Sequence, residues 1–448
     1  MIAHNLLYII YFMAALLFIG AIQGLSAPKT ALRGNNLGIS GMVLAVLATL
    51  LVLPTRNDLG ILLFGLLAAL VGVLWANKVQ ITKLAQMIAL LNGFGGLSSV
   101  LVALAQLIGG KSYSFDLALG ITAGGIAFSG SMVAYAKFQA LNVLPDYFAK
   151  LCRFITVLSL AAIIFFWALS AFSQQTNTLL MLALASFVFG FGLTFGVGGA
   201  DMPIVISLLN ACSGFAASAI GFSFSNIVLI ITGAIVGTSG LVLSHKMTKA
   251  MNKSVAQVFF GDTKNEQTAT QPHQSPKISS PADAAFLMQN ANSVIVVPGY
   301  GMAASGAQHA LKTLASILEN KYHVRVKFAV HPVAGRMPGH MNVLLAEAKI
   351  DYDKVFLLDD INPDFETADV AYVAGANDIT NPAAKTDPSS PLFGMPILDV
   401  YKAKTVLFVK RSSGTGYSGA QNPLFFAENT MMLYGDAKKI TEEIIADL

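Results

Sequence analysis

The first 260 residues alternate long apolar runs with short polar loops, a pattern typical of membrane-spanning helices. A bilayer core requires about 20 apolar residues per helix, and nine runs approach that length. They lie near residues 5–25, 35–53, 59–77, 84–109, 117–138, 152–172, 178–198, 203–223 and 226–245. The pattern therefore predicts a multi-span α-helical membrane domain of about nine helices over residues 1–260.

Beyond residue 282 the pattern changes to short β-branched runs that alternate with helix-like segments. The strand-like runs are "SVIVVPG", "VRVKFAV", "KVFLLD", "VAYVAG" and "TVLFVKR", and helices are predicted near 302–318, near 338–349 and at the end of the chain. This alternation predicts a soluble α/β domain over residues 283–448, with a doubly wound, Rossmann-like parallel sheet covered by helices on both faces. Residues 261–282 are polar, rich in Pro, Ser, Thr and Gln and without period, so they predict a flexible linker.

Composition supports this division into an apolar part and a more highly charged part. The whole chain is 55% hydrophobic and only 12% charged, which excludes an ordinary soluble protein. Up to residue 260 there are 12 Lys and Arg but 4 Asp and no Glu, whereas the remainder carries 16 basic and 20 acidic residues. A mildly basic average over two such parts gives no indication of nucleic-acid binding.

The basic residues of the short loops predict the orientation in the membrane. With nine spans, one side collects ten Lys and Arg and the other side only two, Arg56 and Lys111. Because basic residues favour the cytoplasmic side, the N-terminus is predicted outside and the C-terminal domain in the cytoplasm. An even number of spans would destroy this asymmetry. No positive charge precedes the first apolar run, so we interpret it as a retained helix and not as a signal peptide.

The stretch "VIVVPGYGMAASGAQHAL", residues 295–312, resembles a dinucleotide-binding turn. Gly299, Gly301 and Ala304 fit the spacing G-x-G-x-x-A between a strand and a helix, although such turns also occur as structural corners. The second strand ends in "FAVHPVAGR", with His331 and Arg336 and without a carboxylate for a ribose 2′-hydroxyl. This favours NADP over NAD.

A second candidate phosphate site follows the strand "TVLFV". Lys410, Arg411, Ser412 and Ser413 offer charged and hydroxyl hydrogen-bond donors, and the next residues, "GTGYSG", are flexible enough to fold over a ligand. The alternative is a solvated turn.

Three polar residues in or beside the apolar runs are candidates for coupling to proton movement: Asn92, Asp201 and Asn210. Intramembrane polar groups are functional candidates by default. The alternatives are that Asp201 begins a helix and that either Asn only ties helices together. Cys152 and Cys212 lack disulfide or metal-ligand spacing, and no metal site is predicted.

Several motifs together resemble the β subunit of the proton-translocating NAD(P) transhydrogenases. "PGYGMA", "HPVAGRMPGHMNVLLAEA", "GANDITNPAA", "GMPILDV", "KRSSGTGYSG" and "NPLFFAENT" resemble the family's NADP(H)-binding domain, whereas "GGADMPIVISLLNACSG" and "TSGLVLSHKMTKAMNKS" resemble its membrane domain. The resemblance covers nearly the whole chain.

The resemblance implies an NADP(H) site built from six segments. They are Tyr300; Val333, Ala334, Gly335, Arg336, Met337 and Pro338; Gly375, Ala376, Asn377, Asp378 and Ile379; Gly394 and Met395; Lys410, Arg411, Ser412, Ser413, Gly414, Thr415, Gly416 and Tyr417; and Asp436 and Ala437. In the family the nucleotide lies reversed, which would place the 2′-phosphate on Lys410, Arg411 and Ser412, away from the second strand, with Tyr417 on a lid. Asp378, and Asp359 with Asp360, match positions linked to redox-coupled protonation; solvated loop carboxylates are the alternative.

The implied reaction is hydride transfer from NADH to NADP⁺ as a proton moves inward across a bacterial inner membrane. An α subunit would supply the NAD(H) site and further membrane helices, the family suggests two copies of each subunit, and no metal or flavin is implied. Asn92 departs from the histidine that many bacterial relatives carry there. We therefore hypothesise that the partner subunit supplies the protonatable group, while Asn92 and Asn210 hold a water chain.

Two other functions fit the same organisation. The first is a membrane transporter or channel with a redox-sensing NADP-binding regulatory domain, which would perform no chemistry. The second is an NADP-binding module that assembles other proteins, which would leave the membrane helices without a purpose.

Overall fold

The computed structural model describes residues 2–25, 30–50, 58–80, 83–110, 113–139, 148–173, 175–198, 201–260, 275–337, 339–412, 414, 416 and 418–448. The chain divides into two units. The first unit comprises Met1–Val197 and Val205–Ser244, and the second comprises Gly198–Ile204 and His245–Leu448. Most of the predicted linker, residues 261–274, lies outside the described residues.

Within the described residues, a long helix corresponds to each of the nine predicted apolar runs. They are α1 (Ile2–Leu25), α2 (Ala31–Leu50), α3 (Asp58–Ala76), α4 (Leu84–Ile108), α5 (Phe115–Phe138), α6 (Phe148–Ser173), α7 (Thr176–Phe195), α8 (Met202–Ser223) and α9 (Ile227–Ala250). Seven are long and apolar enough to cross a membrane, and α3 adds a shorter apolar helix over Gly60–Ala76. The polar start of α2, with Arg33, Asn35 and Asn36, lowers its mean hydropathy. The prediction of a multi-helix membrane region is confirmed.

Glycines bring the membrane helices into close contact. A Cβ atom at Gly96 on α4 would lie 2.6 Å from the carbonyl oxygen of Gly124 on α5. On α8, a Cβ at Gly214 would lie 2.9 Å from the carbonyl oxygen of Gly233 on α9. Only glycine permits such approaches, which is the packing that small residues favour between membrane helices.

The second unit contains the remaining helices and all described strands. The helices are α10 (Val255–Phe260), α11 (Pro281–Gln289), α12 (Tyr300–Ser305), α13 (Gln308–Tyr322), α14 (His340–Glu347), α15 (Leu358–Ile361), α16 (Ala383–Thr386) and α17 (Ala437–Asp447). The strands are β1 (Ser293–Pro298), β2 (Arg325–Val330), β3 (Val355–Leu357), β4 (Val370–Ala374), β5 (Thr405–Lys410) and β6 (Thr430–Tyr434). Short 3-10 turns span Tyr352–Lys354, Asn362–Glu366, Asp378–Thr380, Val400–Lys402 and Pro423–Phe426.

The six strands form one parallel sheet in the order β3-β2-β1-β4-β5-β6. In the register of the central strand, Val294 pairs with Val326 on one side and with Val370 on the other. The order reverses between β1 and β4, which creates the crevice where doubly wound sheets bind nucleotides. The predicted parallel α/β domain is confirmed.

Buried aromatic side chains form the core of this sheet. Phe328 of β2, Tyr372 of β4 and Phe408 of β5 are fully buried. The Tyr372 hydroxyl lies 2.9 Å from the Thr441 hydroxyl on α17, so this core polar group is satisfied. The outer edge of β6 is covered, because Ile278 forms a parallel bridge with Met432.

Two predicted elements differ in detail. The helix predicted near 302–318 is divided into α12 and α13 at Gly306, whose φ of +67° is a left-handed conformation that ends a helix. The run "KVFLLD" contains only the three-residue strand β3, because Leu358–Ile361 is helical.

Candidate functional site

The predicted nucleotide-binding segments meet at the carboxyl ends of the strands. Gly299 follows β1, His331 follows β2, Gly375 follows β4 and Arg411 follows β5. Hydrogen bonds join neighbouring loops: the Gly301 amide donates to the Gly375 carbonyl at 2.9 Å, and the Gly375 amide donates to the Val409 carbonyl at 3.2 Å. These loops surround the point where the strand order reverses, which is where a dinucleotide binds in this class of sheet.

The glycines of the first turn pack against the β4 loop. A Cβ at Gly301 would lie 2.7 Å from the Gly375 Cα, and one at Gly299 would collide with the Gly375 carbonyl oxygen. Gly375 itself has a φ of +67°. The glycine spacing therefore serves the close approach of two backbones at the floor of the crevice, in addition to any approach to a ligand. Ala304 lies on α12 with an exposed side chain.

Two buried histidines hold the segment that follows β2. The His331 Nε2 donates to the Pro396 carbonyl at 2.8 Å, and its Nδ1 accepts from the Val333 amide at 3.3 Å. The His340 Nδ1 accepts from the Arg336 amide at 3.0 Å. Burial lowers the pKa of each imidazole to about 4, and for His340 the Arg336 charge adds to this effect. Both rings are therefore neutral near pH 7.

Gly335 and Arg336 have defined positions in this segment. Gly335 has a φ of +103°, and a Cβ there would lie 2.5 Å from the His340 Nδ1. The Arg336 guanidinium lies 4.4 Å from the centre of the Tyr300 ring. A cation over an aromatic ring is stabilised by the ring's quadrupole, so Tyr300 and Arg336 join the β1 and β2 loops. Ala334 and Met337 are buried beneath them.

The basic pair occupies the end of β5. The Lys410 ammonium donates to the Gly414 carbonyl and lies 4.4 Å from the centre of the Phe425 ring. Burial lowers the pKa of Lys410, while Asp378 opposes that shift. The Arg411 guanidinium lies 2.8 Å from the Asp436 carboxylate, which caps the first turn of α17. Ala437 is buried at the start of that helix, and Ser412 is exposed.

Asp378 links the loop after β4 to Ser418, which belongs to the glycine-rich loop of residues 414–419 after β5. Its carboxylate accepts from the Ser418 amide at 3.0 Å and from the Ser418 hydroxyl at 2.8 Å. The neighbouring Asn377 side-chain oxygen accepts from Asn422 at 3.0 Å. The side-chain amide nitrogen of Asn377 is buried and has no hydrogen-bond partner among the described residues. A buried amide nitrogen of this kind can donate to an oxygen atom of a ligand. Ala376 and Ile379 are buried beside it.

The remaining candidates of this unit are distributed as follows. Gly394 donates its amide to the Ala384 carbonyl at 2.8 Å, and Met395 is buried. Asp359 and Asp360 are exposed on α15. Gly414 and Gly416 belong to the described residues, whereas Pro338, Ser413, Thr415 and Tyr417 lie outside them.

Asn92 lies at the centre of a polar cluster in the first unit. Its amide donates to the Ser131 hydroxyl on α5 at 3.0 Å, and its oxygen accepts from the Ser213 hydroxyl on α8 at 2.5 Å. The Ser213 hydroxyl also lies 2.9 Å from the Asn210 carbonyl oxygen. The contact with Asn210 involves its backbone carbonyl within α8, so Ser213 links Asn92 to α8 at the turn that contains Asn210. Neither serine is predicted from the sequence, although the i, i+3 spacing of Asn210 and Ser213 places them on one helix face.

Asp201 immediately precedes α8 in the second unit. Its two carboxylate oxygens lie 2.9 and 3.0 Å from the Lys253 ammonium. The carboxylate is therefore a paired group at the beginning of a helix. The sequence does not reveal Lys253 as the partner of Asp201, because the two residues are far apart in the chain. Among the described residues, there is no group of His, Cys, Asp or Glu that could hold a metal ion.

Comparison with known proteins agrees with this architecture. The profile of the family described as "NAD(P) transhydrogenase beta subunit" matches residues 7–447. Two relatives from Rhodospirillum rubrum, both named "NAD(P) transhydrogenase subunit beta", are each 47% identical over an alignment of 459 positions, gaps included. Each alignment covers 99% of this chain and 99% of the relative.

Proposed function

The chain belongs to the NAD(P) transhydrogenase beta subunit family, and from this premise we propose that its second unit binds NADP(H) and that its membrane helices couple hydride transfer to inward proton movement. In this proposal, residues 1–260 form the proton-translocating membrane domain, 261–282 a linker and 283–448 the NADP(H)-binding domain.

One observation carries the proposal for the nucleotide. The cations of Lys410 and Arg411 lie at the carboxyl end of β5, next to the Gly375 loop, whose amide is hydrogen-bonded to that strand at Val409. A phosphate is best held by charged donors beside backbone that a ligand can approach closely. Lys410, Arg411 and Ser412 would hold the 2′-phosphate. The Arg411 guanidinium would either leave the Asp436 carboxylate for the phosphate or contact both.

The other loops would orient the nucleotide. The buried Asn377 amide nitrogen, which has no hydrogen-bond partner among the described residues, would donate to a nucleotide oxygen, and the Tyr300–Arg336 pair would close the side formed by the β1 and β2 loops. Asp378 would fix the glycine-rich loop through Ser418. Bound NADP(H) supplies the nicotinamide that carries the hydride. Hydride transfer between two nicotinamides requires no acid–base catalysis by a side chain. The role of these residues is therefore to bind and orient the nucleotide and to exclude water.

Hydride transfer between two dinucleotides requires two nucleotide sites whose nicotinamides touch. The described part of this chain offers one such crevice. The word "subunit" in the names of the relatives implies further subunits, and we propose that an α subunit brings the NAD(H) site, in an assembly with two copies of each subunit.

Proton coupling would run through the cluster of Asn92, Ser131 and Ser213. Amide and hydroxyl groups can hold a chain of water molecules, but they do not titrate near neutral pH. We propose that the partner subunit supplies the protonatable group and that Asn92 and Asn210 hold the water beside it. Asp201 would take part in proton coupling at the beginning of α8, where its carboxylate is paired with Lys253.

The proposed location is a bacterial inner membrane, with the N-terminus outside and the NADP(H)-binding domain in the cytoplasm. This orientation rests on the ten Lys and Arg that the short loops of one side collect.

Reconstitution tests the whole function. The chain and its α subunit are placed in lipid vesicles, supplied with NADPH and an NAD⁺ analogue, and followed for analogue reduction and internal pH. We expect both signals to change together. Hydride transfer without a pH change would refute the coupling. If neither signal changed although NADPH bound, the protein would instead be a redox-sensing transporter or channel.

A further inference from the structure

Asn252 and Lys253, which lie between α9 and α10, contact two separate parts of the second unit. Lys253 forms the ion pair with Asp201, the residue that precedes α8. The adjacent Asn252 donates from its side-chain amide to the Phe393 carbonyl at 3.0 Å. Two consecutive side chains thus join the start of one membrane helix to the loop that carries Gly394 and Met395.

Each of the two segments joined by this hydrogen bond contains a residue with a positive φ. Asn252 has a φ of +50°, a left-handed conformation that asparagine adopts more readily than most residues. Gly394 has a φ of +80°, and a Cβ there would collide with the Asn252 amide. The glycine therefore leaves the space that the Asn252 side chain occupies.

The contacted loop is connected to the rest of the nucleotide crevice. The Gly394 amide donates a hydrogen bond to the Ala384 carbonyl, and the Pro396 carbonyl accepts one from His331, which follows β2. His331 in turn accepts from Val333, the first residue of the segment that would contact the nucleotide. A continuous series of contacts therefore runs from Asp201 through Lys253 and Asn252 to the loops after β2.

We propose that Asn252 is a positioning residue, whose side chain fixes the Phe393–Met395 loop and thereby couples NADP(H) affinity to the position of the Asp201–Lys253 ion pair. This inference rests on the proposed NADP(H) site, because it assigns the loop a role in holding that nucleotide. Coupling between sites can be carried by chains of packed side chains, hydrogen bonds and ion pairs. The contacts of Asn252 and Lys253 form one link in such a chain.

Two substitutions isolate the hydrogen bond. Asn252→Gly keeps the left-handed backbone but removes the donor, and Asn252→Asp keeps the shape but faces the Phe393 carbonyl with an acceptor. In the complex with the α subunit, we expect the NADPH dissociation constant to rise about threefold for Gly and further for Asp, as for a partly exposed hydrogen bond. The KM for NADPH should rise while kcat stays unchanged. Lys349→Gly, at another residue with positive φ (+56°), is the matched control and should leave the dissociation constant and the KM for NADPH unchanged.

A double-mutant cycle tests the contact itself. Gly394→Ala alone should weaken NADPH binding, because its methyl group displaces the Asn252 side chain and because its backbone is strained. In the Asn252→Gly background the methyl group has room, so Gly394→Ala should cost less. Equal costs in both backgrounds would overturn the inference, as would unchanged NADPH constants for Asn252→Asp. If the unsubstituted protein bound no NADPH, the proposed function itself would fail.

Discussion

The Ser213 hydroxyl on α8 lies 2.5 Å from the Asn92 side-chain oxygen on α4. Because Asn92 also donates to Ser131 on α5, one amide joins three membrane helices. A buried amide that loses a partner costs about 1–3 kcal/mol. The cluster therefore has a defined geometry that a single substitution should disturb.

Ser213→Ala should lower coupled turnover in vesicles by about tenfold, because the Asn92 oxygen loses its donor. NADPH affinity should change little, since the hydrogen bonds of Ser213 go to Asn92 and to the Asn210 carbonyl and not to the loops of the nucleotide crevice. Ser207→Ala is the matched control, because Ser207 lies on the same helix but donates to the Gly240 carbonyl. Equal loss of turnover in the two variants would remove the cluster from the proton path.

The Gly375 contact predicts a loss of stability larger than backbone strain explains. Gly375 and Gly306 both have a φ of +67°, but a Cβ at Gly375 would collide with Gly301, whereas one at Gly306 meets nothing within 4 Å. Gly306→Ala should cost only the strain, about 1 kcal/mol. Gly375→Ala should cost several kcal/mol and abolish NADPH binding. Thermal unfolding with and without NADPH measures both effects, and equal costs would contradict the close packing of the loops.

The buried histidines predict a weakening of NADPH binding in acid. The folded pKa values of His331 and His340, about 4, lie below the ordinary value of 6.5. Between these values the unfolded loop takes up protons and the folded loop does not. The ordered loop is therefore fully favoured above pH 6.5 and loses stability as the pH falls towards 4.

His340→Gln keeps an acceptor for the Arg336 amide but cannot titrate, so it should flatten the pH dependence of the NADPH dissociation constant between pH 6.5 and 4.5. Some dependence should remain, because His331 still titrates. His309→Gln, at an exposed histidine on α13, should leave the profile as it is. Identical profiles for all three proteins would show that His340 does not control the loop.

Much of the fold could be predicted because local patterns determine it. The nine apolar runs correspond to nine helices whose ends differ by a few residues from the prediction. Alternating strands and helices predicted the parallel sheet, since most positions of β1 to β5 are apolar, whereas β6 (Thr430–Tyr434) was not predicted. The break at Gly306 was not predicted, because a glycine within a helical pattern does not reveal whether its φ becomes positive.

The partners of the site residues could not be predicted, because they are distant in the chain. Nothing near Asp201 indicates Lys253, and nothing near Asn92 indicates Ser213. The basic pair at Lys410 and Arg411 was predicted, whereas its neighbours Phe425 and Asp436 depend on how β5, β6 and α17 pack. Residue chemistry identified the candidates, and tertiary packing determined which groups they meet.

NADPH binding to the complete protein is the decisive measurement for the proposed nucleotide site. Calorimetric titration of the complex with the α subunit should detect one NADPH site per chain, and Lys410→Ala with Arg411→Ala should weaken it by about 10²–10⁴-fold, at about 1.5–3 kcal/mol per charged hydrogen bond. The control Lys438→Ala with Lys439→Ala removes two exposed lysines of α17, whose carboxylate partners are 3.8 Å away, and should bind normally. Unchanged NADPH affinity in the Lys410 and Arg411 double variant would contradict the account.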